Sequence, residues 1–301
     1  MHPVAKSTAA VAGLGAACFG WGLVEAHRFT VRHETMPVLP RGAEEVRVLH
    51  LSDLHLLPSQ TDKLRFLRSL AQFGPDLVVN TGDNIASADS IRLLQVGLRS
   101  LRHVPGVFVF GSNDYVAPRF KNPLRYLADG RSHAPAEEDL TALPTDELRR
   151  ALESYGWVDI NTSRHVIEVQ GLTFEFRGTD DAHHDRDDYS LVAGPPSDGV
   201  DVSIGVTHAP YRRILDAMTA DGCDAILAGH THGGQVCVPG WGALVTNCDI
   251  EPARVKGVST HQAEGRTSWL HVSAGLGTSP YAPFRFACPP EVSLLRLTAR
   301  P

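Results

Sequence analysis

Apolar and polar positions along this chain switch repeatedly between two periods. Val46 to Ser52 ("VRVLHLS") is a short apolar run that predicts a strand, and Lys63 to Phe73 ("KLRFLRSLAQF") carries apolar residues at helical spacing. The alternation continues with a strand in "DLVVNTGD" (Asp76 to Asp83), a helix in "IRLLQVGLRSL" (Ile91 to Leu101) and a strand in "GVFVFGSND" (Gly106 to Asp114). After Arg164 the texture changes to "HVIEVQGLTFEFRGTDD", two strands about a Gly turn, which predicts a hairpin. "VDVSIGVTH", a helix from Tyr211 to Thr219, and "CDAILAGHTHGG" restore the alternation, and "SWLHVSAG" and "EVSLLRLTA" end the chain in strands. Short strands separated by helices imply βαβ units in a largely parallel sheet. Two stacked sheets with helices outside accommodate the whole pattern. The long irregular piece is Ala117 to Pro144.

The N-terminal segment departs from this pattern. Ser7 to Val24 ("STAAVAGLGAACFGWGLV") carries no charge, with Lys6 before it and Glu25, His27 and Arg28 after it. At about 18 residues it just reaches the length of a bilayer span, although its Ala and Gly content makes it a weak one. No A-x-A cleavage site follows, which favours an uncleaved membrane anchor over a removed secretion signal; a disordered arm is a third reading. The flanking charges are too balanced to orient it. "PVLPRGAE" (Pro37 to Glu44) reads as a linker, so residues 1–45 are expected to precede a single domain of residues 46–301 with an insertion around 117–144.

Composition narrows the possibilities. With 301 residues, 43% hydrophobic and 21% charged, the chain has the balance of an ordinary globular protein with ample core. A formal charge of −6 argues against non-specific nucleic-acid binding, so no nucleic-acid partner is expected. The five cysteines are odd in number and form no CxxC, which predicts free thiols rather than a disulfide framework.

The acidic and histidine-bearing segments each follow a predicted strand, where ligands gather in open α/β sheets. "HLSDLHLL" supplies Asp53 and His55, "NTGDN" Asp83, "GVTHAP" His208, and "LAGHTHGG" His230 and His232. Taken singly, Asp53 could cap the following helix, and His208 before Ala-Pro is a weaker signal still. "GHTHGG" is more specific: two histidines one residue apart are fenced by glycines that let the backbone approach closely. The mixture of carboxylate and imidazole suits a pair of divalent ions such as Mn, Fe or Zn. Two such ions need a shared oxygen ligand, for which Asp83 is the natural candidate, and a water between them would lose its proton near neutral pH and become a nucleophile.

With those motifs the sequence resembles the calcineurin-like metallophosphoesterases, and within them the membrane-associated bacterial phosphoesterases that carry G-H-T-H-G-G-Q. The likeness runs from about Val46 to Leu297 and includes Arg285 within "PFRFACPPEVSLLRL". It implies an α/β fold of four layers, an αββα sandwich of two β-sheets flanked by helices. It also implies that Asp53, His55 and His232 hold one ion, that Asp83 bridges, and that His208 and His230 hold the second.

One motif departs from the family pattern. Where the family usually carries Gly-Asn-His followed by an acid, this chain reads Gly111-Ser112-Asn113-Asp114. In strict register Ser112 falls at the ligand position. If the turn shifts by one residue, Asn113 supplies its amide oxygen, the better hard-oxygen ligand, and Asp114 orients the turn from behind. Both arrangements lack the family's imidazole at the turn, which predicts a preference for good leaving groups, as in phosphodiesters and pyrophosphates. His133, His183 and His184 are the nearby candidates to replace it. Arg119, Lys121 and Arg125 could meet a second phosphate, and Asp180 and Asp181 could shape a loop beside the site.

The expected activity is therefore a dinuclear metal-dependent phosphoesterase, with a metal-bridging hydroxide attacking a phosphodiester or pyrophosphate bond. If the anchor is real, the substrate would be lipid- or nucleotide-linked. The alternative is a non-catalytic metal-binding module on the same fold. No HExxH, HxHxDH or GxxxxGK[ST] supports another hydrolase or NTP-driven work.

Overall fold

The structure is a computed structural model that describes residues 3–120 and 140–301, with side chains described from residue 12 onward. The chain opens with α1 (Pro3–Glu25), β1 (Thr30–Leu39), β2 (Val46–Leu51), α2 (Thr61–Ser69), β3 (Leu77–Asn80) and α3 (Ser90–Leu98). It continues through β4 (Gly106–Phe108), α4 (Ser112–Tyr115), α5 (Thr145–Glu153), β5 (Trp157–Asp159), β6 (Ser163–Val169) and β7 (Leu172–Gly178). The remainder holds β8 (Val202–Val206), α6 (Arg212–Ala220), β9 (Ala225–Ala228), β10 (Cys237–Val238), β11 (Gly242–Ala243), β12 (Gly257–Ala263), β13 (Arg266–Val272) and β14 (Glu291–Ala299).

Two six-stranded sheets stack face to face, ordered β1-β14-β2-β3-β4-β5 and β12-β13-β9-β8-β7-β6. The strands β2 to β5 run parallel in the first sheet, as do β7, β8, β9 and β13 in the second. Because the crossovers leave both faces of these strands covered, the strands are apolar on both sides rather than alternating. One set of side chains, among them Val48, Val79, Val107, Phe174, Phe176, Ile204 and Leu227, fills the space between the sheets. A second core packs Leu64, Leu67, Leu94, Leu148 and Trp157 beneath the helices of the first sheet, and a third packs Ile214, Leu215 and Met218 of α6 on the second. The result is the four-layer αββα sandwich that the family resemblance implies.

The first sheet begins earlier than the hydrophobic pattern indicates. β1, part of the segment expected to be an arm and linker, pairs in parallel with β14 from Thr30 to Leu39, and Met36, Val38 and Leu39 are buried. The stretch Pro37–Leu39 is thus strand rather than linker, and the body extends upstream of Val46. β1 is an edge strand, which is where a strand tolerates a proline and a polar outer face.

The helix α1 covers the expected hydrophobic segment, and no helix among the described residues is long and apolar enough to cross a membrane. Its last turn is docked on the domain. The Gly22 carbonyl accepts from Arg285 N at 3.0 Å, and the Glu25 carboxylate accepts from Ala287 N at 3.2 Å and Cys288 N at 2.7 Å. All five cysteines are free, four of them buried.

If β1 belongs to the cooperative fold, Leu39→Ala should lower unfolding stability by about 2–5 kcal/mol in urea denaturation. A loss within experimental error would show that the strand is an appendage.

Candidate metal centre

The C-terminal ends of five parallel strands meet at one place. Asp53 and His55 follow β2, Asp83 follows β3, Asn113 follows β4, His208 follows β8, and His230 and His232 follow β9. Backbone hydrogen bonds knit the loops together: Asp53 N donates to Gly82 O, His55 N to Asp83 O, and Gly277 N to Asp53 O. Two glycines let the carboxylates in. A Cβ on Gly229 would overlap Ser52 Oγ and Asp53 Oδ2, and one on Gly111 would overlap Asp83 Oδ1 and the His208 ring.

The donor atoms crowd together. Asp53, His55 and His232 offer ligand atoms that lie within 4.8 Å of one another, and so do Asp53, Asp83 and His208. His55 Nε2 lies 3.1 Å from His232 Nε2 and 3.3 Å from Asp83 Oδ2, while His208 Nε2 lies 3.6 Å from the same Asp83 oxygen. His230 Nδ1 faces His208 Nε2 at 3.3 Å, and its Nε2 lies 3.1 Å from the Asn247 carbonyl. Burial lowers His55 to about 4 and depresses His230 and His232 well below the usual histidine range, so lone pairs rather than protons converge here. The buried imidazoles of His55, His230 and His232 converging with the Asp53 and Asp83 carboxylates fit a divalent cation, and these donor types suit the Mn, Fe and Zn group.

Charges within the cluster are uneven. Burial raises Asp53 to about 6. Burial also pushes Asp83 upward, but the His208 and His55 charges and the hydrogen bonds from Asn113 outweigh it and hold the carboxyl below its ordinary value. His208 shows the reverse balance: burial lowers it, yet Asp83, Asp53 and Asp181 raise it to about 9. Without a metal, a protonated His208 is the cation that offsets the two carboxylates.

The turn after β4 sets Asn113 beside Asp83. Asn113 donates to Asp83 twice, from its backbone N to Oδ1 at 2.7 Å and from Nδ2 to Oδ2 at 2.8 Å. Ser112 points elsewhere, and its Oγ donates to Asp181 Oδ2 at 2.8 Å. Asp114 lies beneath, wholly buried, accepting from the backbone N of Gly111, Asp83 and Asn84 at 3.0, 2.8 and 2.7 Å. The seven expected ligand residues therefore come together, and Ser112 and Asp114 stand behind them.

Several further residues join the centre from distant parts of the chain; of these Asn247, His50 and His271 carry no local signal in the sequence, whereas Arg285 belongs to the C-terminal likeness. Asn247, a left-handed residue, faces His230 with both its carbonyl and its Nδ2. Arg285 is fully buried and donates to the carbonyls of Ala274, Gly275 and Gly277 at 2.7, 3.0 and 2.7 Å, and to His232 O at 3.3 Å. A hydrogen-bonded chain of His271, His50, Thr81 and Ser52 ends on Asp53. A cavity of about 470 Å³ opens over the centre; His183, His184, Asn113, Arg119, Val236, Leu244, Tyr281 and Phe284 are in its wall. Lys121, Arg125 and His133 lie outside the described residues.

Comparison with known proteins gives the family of the chain. The sequence model of the calcineurin-like phosphoesterase family matches residues 46–234, and the chain belongs to that family. It is 25% identical over 281 residues to the uncharacterized metallophosphoesterase YkuE of Bacillus subtilis (strain 168), covering 91% of this chain and 86% of that one. It is 25% identical over 268 residues to a Bos taurus transmembrane protein with a metallophosphoesterase domain, covering 87% of this chain and 55% of the relative. Among solved structures, TT1561 of Thermus thermophilus aligns with a TM-score of 0.41 at 12% identity, covering 77% of this chain and 91% of that one.

If His208 is a ligand it gives up its proton on binding, so uptake of Mn²⁺ should tighten about tenfold per pH unit between about 6 and about 9, with one proton released. Titration calorimetry in buffers of different ionisation enthalpy counts that proton. A count of zero around neutrality would place His208 outside the ligand set.

Proposed function

We propose that this chain is a dinuclear metal-dependent phosphoesterase that hydrolyses phosphodiester or pyrophosphate bonds. The observation that carries the reading is the position of Asp83: one of its carboxylate oxygens faces His55 on one side and His208 on the other. Asp53, His55 and His232 would hold the first ion, Asn113, His208 and His230 the second, with Asp83 shared. Bound there, two divalent ions supply a nucleophile at neutral pH and neutralise charge on the phosphoryl oxygens. The protein's own residues orient that chemistry. Asn113 fixes the Asp83 carboxylate, Asp114 fixes the turn, and Arg285 fixes the carbonyls behind His232.

The cavity wall supports a substrate with an apolar substituent, as in a lipid-linked phosphoester. Val236 and Leu244 flank the β10–β11 hairpin, whose tip carries Trp241 at 82% exposure. Next to the hairpin, Phe286 bridges Val236, and Phe284 packs against Phe19 of α1. Val236, Leu244 and Phe284 of the cavity wall are thus continuous with the exposed hairpin tip and with Phe19 of α1, which supports attachment to a membrane surface.

The chain loaded with Mn²⁺ should turn over bis(p-nitrophenyl) phosphate faster than p-nitrophenyl phosphate, and Asp83→Asn should reduce that rate on the order of 10³-fold. Two bound metals without turnover above the Asp83→Asn control would favour a non-catalytic binding module. For the rim, the double variant Trp241→Ser, Leu244→Ser should weaken co-sedimentation with phospholipid vesicles by at least about tenfold. Undiminished co-sedimentation would remove the hairpin from any membrane contact.

A further inference from the structure

We infer that His184, held by Asp181, is the group that protonates the departing oxygen, so that an Asp–His pair from the loop after β7 supplies what the turn after β4 lacks. The inference rests on the phosphoesterase reading and names the residue that completes it.

The turn Gly111–Asp114 carries no imidazole, and its serine is committed to Asp181. Asp181 is fully buried; its Oδ1 accepts from His183 N at 3.0 Å, and its Oδ2 accepts from Ser112 and lies 3.1 Å from His184 Nδ1. A buried carboxylate on Nδ1 fixes the imidazole's orientation and keeps a proton on that nitrogen, which leaves Nε2 for exchange with a substrate. Burial works against the Asp181 anion, but the His184 hydrogen bond and nearby charges hold its carboxyl down at about 2, so it stays a carboxylate near neutrality.

The His184 ring lines the same cavity as Asp83 and Asn113, and its Nε2 makes no hydrogen bond to any described residue. The neighbouring His183 is placed differently. Its ring centroid is 4.3 Å from that of His230, and its Nδ1 meets Tyr211 Oη at 2.8 Å, so it packs on the ligand set. Arg119, also in the wall, offers guanidinium hydrogen-bond donors rather than an imidazole.

Two further contacts fasten the loop to the turn. Tyr115 Oη donates to Asp180 Oδ1 at 2.6 Å, and the Arg186 guanidinium lies 4.0 Å from the Tyr115 ring centroid. Ser112, Tyr115, Asp180, Asp181 and Arg186 thus set the spacing between the Asp83 carboxylate and the His184 imidazole. In the step itself, an incoming oxygen bonds to phosphorus as the bond to the leaving oxygen breaks. The electron pair departs with that oxygen, which takes the Nε2 proton, and His184 then recovers a proton from solvent.

The test compares the full wild-type chain with His184→Gln and Asp181→Asn, each loaded with Mn²⁺ and assayed for bound metal. Diesters with nitrophenyl and with alkyl leaving groups are the substrates, because a proton donor matters most for the poor leaving group. His184→Gln should lose on the order of 10²-fold or more on the alkyl diester and much less on the nitrophenyl diester, with both metals retained. Asp181→Asn should show the same bias in smaller measure. Equal losses on both substrates, or none on either, would overturn the assignment and leave the pair a structural lock. A wild-type chain inert towards every diester would instead overturn the phosphoesterase reading. A second measurement needs no turnover: nitrogen-15 spectra of the metal-free chain should show His184 protonated at Nδ1 in the wild type, and that signature should be lost in Asp181→Asn. Its absence from the wild type would overturn the pair directly.

Discussion

Asp53, His55, Asp83, His230 and His232 all sit at positive φ, between 40° and 68°, in the left-handed region that residues with a Cβ avoid. Each such conformation costs on the order of 1 kcal/mol or more, and it persists only where the surroundings over-determine it. The geometry explains the cost. Left-handed residues bend the chain sharply just beyond three strands, β2 and β3 of one sheet and β9 of the other, where the donors meet. The remainder of the fold keeps them there. The apolar filling between the sheets sets the separation of β2 and β3 from β8 and β9, and hence the spacing of the donors.

Polar groups behind the donors do the rest. Asp114 takes three backbone N–H groups from two turns, which makes the loops after β3 and β4 one unit. Burial pushes its carboxyl up to about 7 against the pull of those donors. Arg285 uses carbonyls rather than a carboxylate to satisfy a buried guanidinium, and so ties the loop after β13 to His232. The two devices are complementary, because a buried anion collects donors on one side of the centre and a buried cation collects acceptors on the other.

The parts of this arrangement that were legible in the sequence are those whose signal is local. Period changes mark β2, α2, β3, α3 and β4, and the D-x-H and GHTHGG segments are short enough to read directly. β1 was not legible, because its alternation is mostly polar, Pro37 interrupts it, and its partner β14 lies at the opposite end of the chain. The surroundings of Ser112 and Asn113 are illegible for a related reason: both carry an oxygen that can meet a metal, and only the fold brings Asp181, far along the chain, to accept from the serine. Asn247, His271 and Arg285 likewise acquire their contacts only through long-range folding. Side chains that act through another residue leave no spacing to detect.

The place of β1 has a practical side. Its removal, together with the helix before it, would be an obvious way to make the chain easier to handle. That cut would turn β14, a nine-residue strand with Val292, Leu294, Leu295 and Leu297 buried, into an open edge with unpaired N–H and C=O groups. It would also strip the carboxylate from Ala287 N and Cys288 N, directly behind the loop of His232. The shortened molecule would be a template for self-association with a loosened rear wall. Insolubility or poor metal retention in such a preparation would therefore describe the trimming and not the native chain.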